Sequence, residues 1–217
     1  MSNQKHVSLL GITVSIVVGV LVMLAGSDDS SKVGSISVFA LCGLLAYIIN
    51  WIVFVPSNIA QTEHYFDLAG SVTYLSLTAV AVAAAPELDA RSTIVAAMVA
   101  LWAIRLGAFL FRRVKRDGRD GRFDRIKIDP LRFLMTWTLQ ALWVLLTMAC
   151  ALAIITGQER RSVGWIGVLG IAVWTAGFAI EVLADRQKSR FKQDPLNNGR
   201  FIASGLWAWS RHPNYFG

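Results

Sequence analysis

"FLMTWTLQALWVLLTMACALAIIT", residues 133–156, runs for 24 residues without a charged side chain. A bilayer core is crossed by about 20 consecutive apolar residues in helical form. A helix on a soluble core would instead show polar residues recurring along one face. Here Gln140 is the single side-chain amide. The stretch therefore predicts a transmembrane helix, with Gln140 hydrogen-bonded to a neighbouring helix. Five more stretches read the same way: Leu9–Ala25, Val33–Val55, Phe66–Ala85, Thr93–Phe111 and Gly164–Ala184. The whole chain is 55% hydrophobic and 16% charged, against about 25% charged in soluble domains. The expected fold is all-α, a polytopic transmembrane bundle of about six spans in a single integral domain, 1–217.

The connections are short and polar: "GSDDSS", "PSNIAQTEHY", "PELDAR" and "GQERRS". Pro56 and Pro86 are expected just beyond span ends, where a proline breaks no internal bond. The net charge of +7 is not spread evenly. Arginine and lysine crowd residues 112–132, "RRVKRDGRDGRFDRIKIDPLR", and the "DRQKSRFK" after span six, and Lys5 precedes span one. The positive-inside rule then puts the N-terminus, the basic loop 112–132 and the C-terminal segment 185–217 in the cytoplasm. "GQERRS", with two arginines on the outer side, is the exception.

Lys5 and His6 before an apolar run also fit a signal peptide, but the run is long and "LAGS" is a weak cleavage site, so an uncleaved span is expected. Cys42 and Cys150 lie in apolar blocks as small core side chains, with no disulfide framework or metal spacing. The basic loop has two readings. Juxtamembrane arginines set topology and touch anionic headgroups of membrane lipids. Asp117, Asp120, Asp124 and Asp129 within it suggest a folded loop with internal ion pairs. Cations held against a membrane do not suit nucleic acid.

Polar groups inside the spans are the functional candidates. Glu181, Asp185, Lys188 and Lys192 fall at offsets 0, 4, 7 and 11. They share one helix face, running from buried acid to exposed base. Arg105 stands almost two turns before the basic cluster. It can snorkel to the interface, meet Glu181, or meet a phosphate. Asn50 lies within span two. Glu63, His64, Tyr65 and Asp67 cluster where span three begins, with Asp67 a candidate helix cap. That cluster reads as an interfacial turn, or as a proton-transfer pair of Glu63 and Tyr65.

The final stretch, "QDPLNNGRFIASGLWAWSRHPNYFG", has a turn at Asn197-Asn198-Gly199. Ser210 or His212 can cap a helix whose first position is Pro213. A helix start suits an anion, Arg211 adds a bidentate phosphate donor, and Arg190, Lys192 and Arg200 are close in sequence. Asn214 and Tyr215 offer hydrogen bonds to an amide or ribose. The expectation is an anion-binding corner on a last helix that has only begun at Gly217.

The string "GLWAWSRHPNYFG", preceded by "EVLADRQKSRFK", resembles the C-terminal part of the steroid 5-alpha-reductase family, and most of all its uncharacterised branch of small membrane proteins. The resemblance extends back through "LWAIRLGAFLFRRVKRDGRDGRFD" and "RFLMTWTLQALW", over more than half of the chain. It implies an NADPH-dependent reductase of a lipid-like enone. In that family an Asn and an Asp one turn apart hold the cofactor, and Glu181 and Asp185 stand there, the first a departure. Lys192 or Arg190 fits the phosphate contact, Arg105 another cofactor contact, and Asn214 the amide contact. Arg211, His212 and Tyr215 belong to the same motif. The family's next Glu would fall just beyond Gly217, so this 217-residue chain is expected to be inactive by itself.

The family's proton donor is a Tyr paired with a Glu. The Tyr position, three residues before Arg105, is Trp102 here, which cannot act as an acid. Glu63 is a loose match for the Glu, with Tyr65 or Tyr74 as substitutes for the Tyr. Two other functions stay open. One is an S-adenosylmethionine-dependent membrane methyltransferase of the isoprenylcysteine carboxyl type; the other is a non-catalytic membrane protein.

Overall fold

Asp129 and Pro130 start the helix that the opening stretch predicts. The Asp129 carboxylate accepts the N–H groups of Leu131 (3.0 Å) and Arg132 (3.3 Å). Pro130 takes the first helical position, where a missing N–H breaks no intrahelical bond. In the computed structural model, which describes residues 2–117 and 120–216, this helix runs over Pro130–Thr156. Two units divide the chain, Met1–Ser162 and Val163–Gly217.

The first unit contains α1 (Ser2–Gly26), β1 (Lys32–Val33), β2 (Ile36–Ser37), α2 (Val38–Ile59), α3 (Phe66–Ala84), α4 (Ala90–Asp117) and α5 (Pro130–Thr156). Helix α5 packs against all four of the other helices. The interior is apolar: Val38, Phe39, Cys42, Leu77, Leu145, Met148 and Leu152 are fully buried. Burying each such side chain contributes roughly 1.5–3 kcal/mol where the alternative is water. Between lipid-embedded helices that drive is weak, and polar links supplement close packing. Tyr47 donates to the Ser15 carbonyl (2.7 Å) and Ser15 to the Thr138 carbonyl (3.2 Å), joining α1, α2 and α5. Asn50 reaches Thr73 (3.3 Å) between α2 and α3. Gln140 makes the expected interhelical bond, to the Phe66 carbonyl at 2.9 Å.

The second unit contains α6 (Trp165–Gln193), 3-10 turns at Pro195–Asn197 and Gly205–Ala208, and the short α7 (Pro213–Phe216). The later turns and α7 fold back on α6. Pro213 opens α7 as the sequence suggests, and Ser210 Oγ accepts the His212 N–H at 3.2 Å.

Among the described residues six helices, α1 to α6, are long and apolar enough to cross a membrane, so the chain is an integral membrane protein with an all-α polytopic fold. Some limits differ from expectation. Span two begins at Val38 rather than Val33, because residues 32–37 form a two-stranded hairpin. Gly34 at its tip has φ +63°, which a side chain rarely tolerates, and Ser37 then caps α2 through the Ala40 N–H at 3.0 Å. Pro56 lies inside α2, not beyond it. The helix continues for another turn, and the Pro56 carbonyl accepts the Ala60 N–H at 2.9 Å. Asp67 does not cap α3; Tyr65 holds that position without a side-chain bond, and Asp67 pairs with Arg113 instead. Helices α4 and α6 continue well past their apolar stretches, since arginine, lysine and glutamine are good helix formers in water. Cys42 is core, but Cys150 faces outward.

The two arginines of "GQERRS" are engaged locally. Arg161 pairs with Glu159 at 2.6 Å, and its backbone N–H reaches Asp89 at 3.3 Å. Arg160 reaches Ser92 at 3.4 Å.

Candidate functional site

The helical face predicted from Glu181 to Lys192 exists as a burial gradient. Glu181, Ala184 and Asp185 are the buried residues of α6; Lys188 is half-buried and Lys192 exposed. Two hydrogen bonds hold the fold-back on this helix. The Trp207 indole N–H donates to the Ala184 carbonyl (3.0 Å), and the Leu206 N–H to Gln187 Oε1 (3.0 Å). Lys188 Nζ lies 4.5 Å from the centre of the Trp207 ring, a cation–π contact that keeps the ammonium at the rim. Gly205 adopts φ +60° directly against the Gln187 side chain, a close approach that a Cβ would block. Neither Trp207 nor Gln187 stood out in the sequence; the glycine before a tryptophan pair was the available signal.

Past this anchor, α7 brings Asn214 onto α6. Its Oδ1 is buried and accepts no hydrogen bond among the described residues. A buried carbonyl left unsatisfied costs about 1–3 kcal/mol, so the arrangement suits a group that donates to it. The rings of His212 and Tyr215 stack at 5.5 Å and 21°, both exposed, as are Arg190, Lys192 and Arg211. Helix α6 and the segment folded back on it thus carry carboxylates, an amide oxygen, cations and a planar ring pair. That combination fits a nucleotide cofactor: hydroxyl and amide N–H donors toward the acids and Asn214, phosphates toward the cations. Gly217 lies outside the described residues.

The membrane-mouth cluster of the first unit is built differently. Glu63 is 4% exposed. Its carboxylate accepts from Lys127 Nζ at 2.6 Å and from the Asp120 N–H at 3.0 Å. Burial pushes its pKa up, but the Lys127 and backbone hydrogen bonds together with the Lys127 charge outweigh it, and Glu63 ends below the ordinary carboxylate range. Arg122 holds Asp120 low as well. Asp67 accepts from Arg113 at 3.0 Å. Phe123 is buried against Phe66 and Phe133, at ring distances of 4.9 and 6.4 Å. The basic loop is therefore folded around internal ion pairs in its described part; Gly118 and Arg119 lie outside it. Tyr65 is exposed, and His64 bonds locally to Thr62 at 2.7 Å.

Deeper in this unit, the Trp102 ring meets the Tyr74 ring edge-on at 4.9 Å. The Tyr74 hydroxyl lies 2.6 Å from Thr147 Oγ1. Thr147 is within donor reach of the Trp143 carbonyl at 2.8 Å, which directs the Tyr74 proton toward Thr147. A phenol therefore sits beside the position where the family resemblance expects one, from a different helix. Arg105 is half-buried, with its guanidinium 5.3 Å from the Phe109 ring centre.

A family profile described as "Protein of unknown function (DUF1295)" matches residues 53–217, so the chain belongs to that family. It is 31% identical over 153 residues to a Schizosaccharomyces pombe protein described as "Uncharacterized protein C594.04c", covering 58% of this chain and 44% of that one. Over 64 residues it is 41% identical to the Delta(14)-sterol reductase ERG24 of Saccharomyces cerevisiae, covering 25% of this chain and 15% of the reductase. The chain thus spans less than half the length of either curated relative. No solved structure matches it.

Proposed function

We propose that this DUF1295 chain is a membrane-embedded, NADPH-dependent reductase of a double bond conjugated to a carbonyl, in a steroid-like or other lipid. The observation that carries this is the buried, unpartnered Asn214 Oδ1 on α7, which packs on the helix that buries Glu181 and Asp185. A nicotinamide carboxamide N–H would satisfy it. Glu181 and Asp185 accept ribose hydroxyls, Lys192, Arg190 and Arg211 take phosphates, and the His212–Tyr215 pair offers a stacking surface. NADPH supplies the hydride; the chain orients it and supplies the proton. The partial similarity to a sterol reductase supports this reading over the methyltransferase and the non-catalytic one.

The sequence points to Glu63 and Tyr65 for the proton. The geometry favours Tyr74. Glu63 is held as a carboxylate by Lys127 and so has no proton to give at neutral pH, whereas Tyr74 carries a phenol hydroxyl inside the bundle. Tyr74→Phe should lower turnover by roughly 10²-fold or more and leave NADPH affinity intact, while Tyr65→Phe should do neither. The crowding of arginine and lysine in residues 112–132 and 185–193 supports a cytoplasmic basic loop, N-terminus and C-terminal segment, on the side where NADPH is available. On that reading Arg160 and Arg161 lie on the other side, where Arg161 pairs with Glu159 and Arg160 reaches Ser92.

The direct test is side-by-side titration of NADPH and S-adenosylmethionine into the full protein in nanodiscs. Saturable NADPH binding is expected. Binding of S-adenosylmethionine alone would replace the reductase with a methyltransferase, and binding of neither would leave a non-catalytic protein.

A further inference from the structure

Helix α6 measures its own depth. Its first twenty residues, Trp165–Ala184, contain one charged residue, Glu181. At 1.5 Å per residue they span about 30 Å, the thickness of a hydrocarbon core. The remaining nine, 185–193, carry seven charged or amide-bearing side chains in "DRQKSRFKQ", and they project roughly 13 Å beyond that core.

The chain then comes back down. Asn197 Nδ2 donates to the Phe191 carbonyl at 3.0 Å, at a level about 10 Å past Ala184 by the same rise. The Leu206 N–H reaches Gln187, and the Trp207 indole reaches Ala184 itself. Residues 198–209 therefore descend through the headgroup zone to the edge of the hydrocarbon. Along this descent Trp207 is buried against α6, while two large aromatic side chains point outward. Phe201 is 88% exposed and Trp209 93%, and Leu196 and Phe216 are exposed as well. Exposed Arg200 precedes Phe201. Large aromatics turned away from their own helix at headgroup depth, next to a cation, have the composition of an interfacial anchor.

We propose that the fold-back 194–216 is a membrane-interface anchor, in which Trp209 and Phe201 insert at the headgroup–acyl boundary and Arg200 pairs with anionic lipid headgroups. The occupant of this apolar surface is the bilayer surface. The anchor presses the loop that carries Asn214 against α6 from the membrane side. Arg190, Lys192 and Arg211 keep their separate role, so this inference stands without the cofactor reading.

The test uses the full chain in nanodiscs with Cys42 and Cys150 replaced by alanine, a fluorophore on Trp209→Cys or on Phe201→Cys, and iodide or headgroup-proximal doxyl lipid as quencher. The expected result is quenching by doxyl lipid and an iodide quenching constant roughly threefold below that of the free dye, as for an interfacial aromatic. Adding phosphatidylglycerol to phosphatidylcholine should deepen the protection, and Arg200→Glu should remove that lipid dependence. Full iodide access at both positions without doxyl quenching overturns the proposal. So does protection that appears only at several copies per disc, which would assign the surface to a second copy. If one labelled variant does not reconstitute, the other gives the same readout.

Discussion

Glu63 and Asp185 are both acids near the membrane surface, and both are almost completely buried, at 4% and 5% exposure. Their surroundings differ. Around Glu63 the polar groups close on one another: Lys127 and the Asp120 N–H fill its carboxylate, Arg113 meets Asp67, and Arg122 meets Asp120. Around Asp185 the cover is a short fold-back held by Trp207 and Leu206, and Asn214 within it keeps an unsatisfied buried oxygen. A closed network stabilises a fold. An open acceptor beside buried acids is arranged for something that arrives. Burial of an acid therefore does not mark a site.

The largest effect separating the two regions should come from Glu63→Ala. Removing the buried carboxylate leaves the Asp120 N–H without its acceptor and Lys127 with only Asp124 at 3.9 Å, which costs about 3 kcal/mol. Thermal unfolding in nanodiscs should show a clear drop, while NADPH affinity of the folded fraction stays unchanged. Unchanged unfolding would mean that the corner is not closed in the way described. The pH dependence has a definite sign. The folded Glu63 carboxyl titrates below its ordinary value of 4.5, so its contribution is present above that pH and is lost as pH falls through the lower folded value. Wild type should therefore lose more stability than Glu63→Gln on acidification below about pH 4.5.

A smaller effect, about 1 kcal/mol, is expected of Trp207→Phe, which removes the indole bond to Ala184 but keeps most of the ring packing. It should loosen the fold-back, raising hydrogen exchange at the Leu206 amide and weakening NADPH without changing the first unit. The smallest is Asp67→Asn. Its pair with Arg113 is partly exposed, at 34% and 22% for the two side chains, and such pairs contribute roughly 0.5 kcal/mol. A loss as large as that of Glu63→Ala would break the ranking.

The spans were legible because an uncharged run such as 133–156 has no alternative use for its length. The α6 face was legible because Glu181, Asp185, Lys188 and Lys192 lie on one helix, where spacing alone fixes their direction. What stayed hidden lies between elements. Lys127 is 64 residues from Glu63, and no local pattern joins them. Ala184 accepts from Trp207 through its backbone, which the identity of an alanine cannot announce. The start of α2 was misplaced because Val33 and Ile36 look like membrane residues until Gly34 and the Ser37 cap are considered together. Pro56 looked like a stop, yet a proline removes only one helix bond and the last turn can close beyond it.

The central claim is that Asn214 completes a cofactor site on α6. It is tested most directly by the NADPH affinity of the full protein in nanodiscs, wild type against Asn214→Ala, by calorimetry. The account predicts roughly a tenfold weakening, with the unfolding temperature unchanged or raised because an unsatisfied buried oxygen is gone. Equal affinity in the two proteins would contradict it.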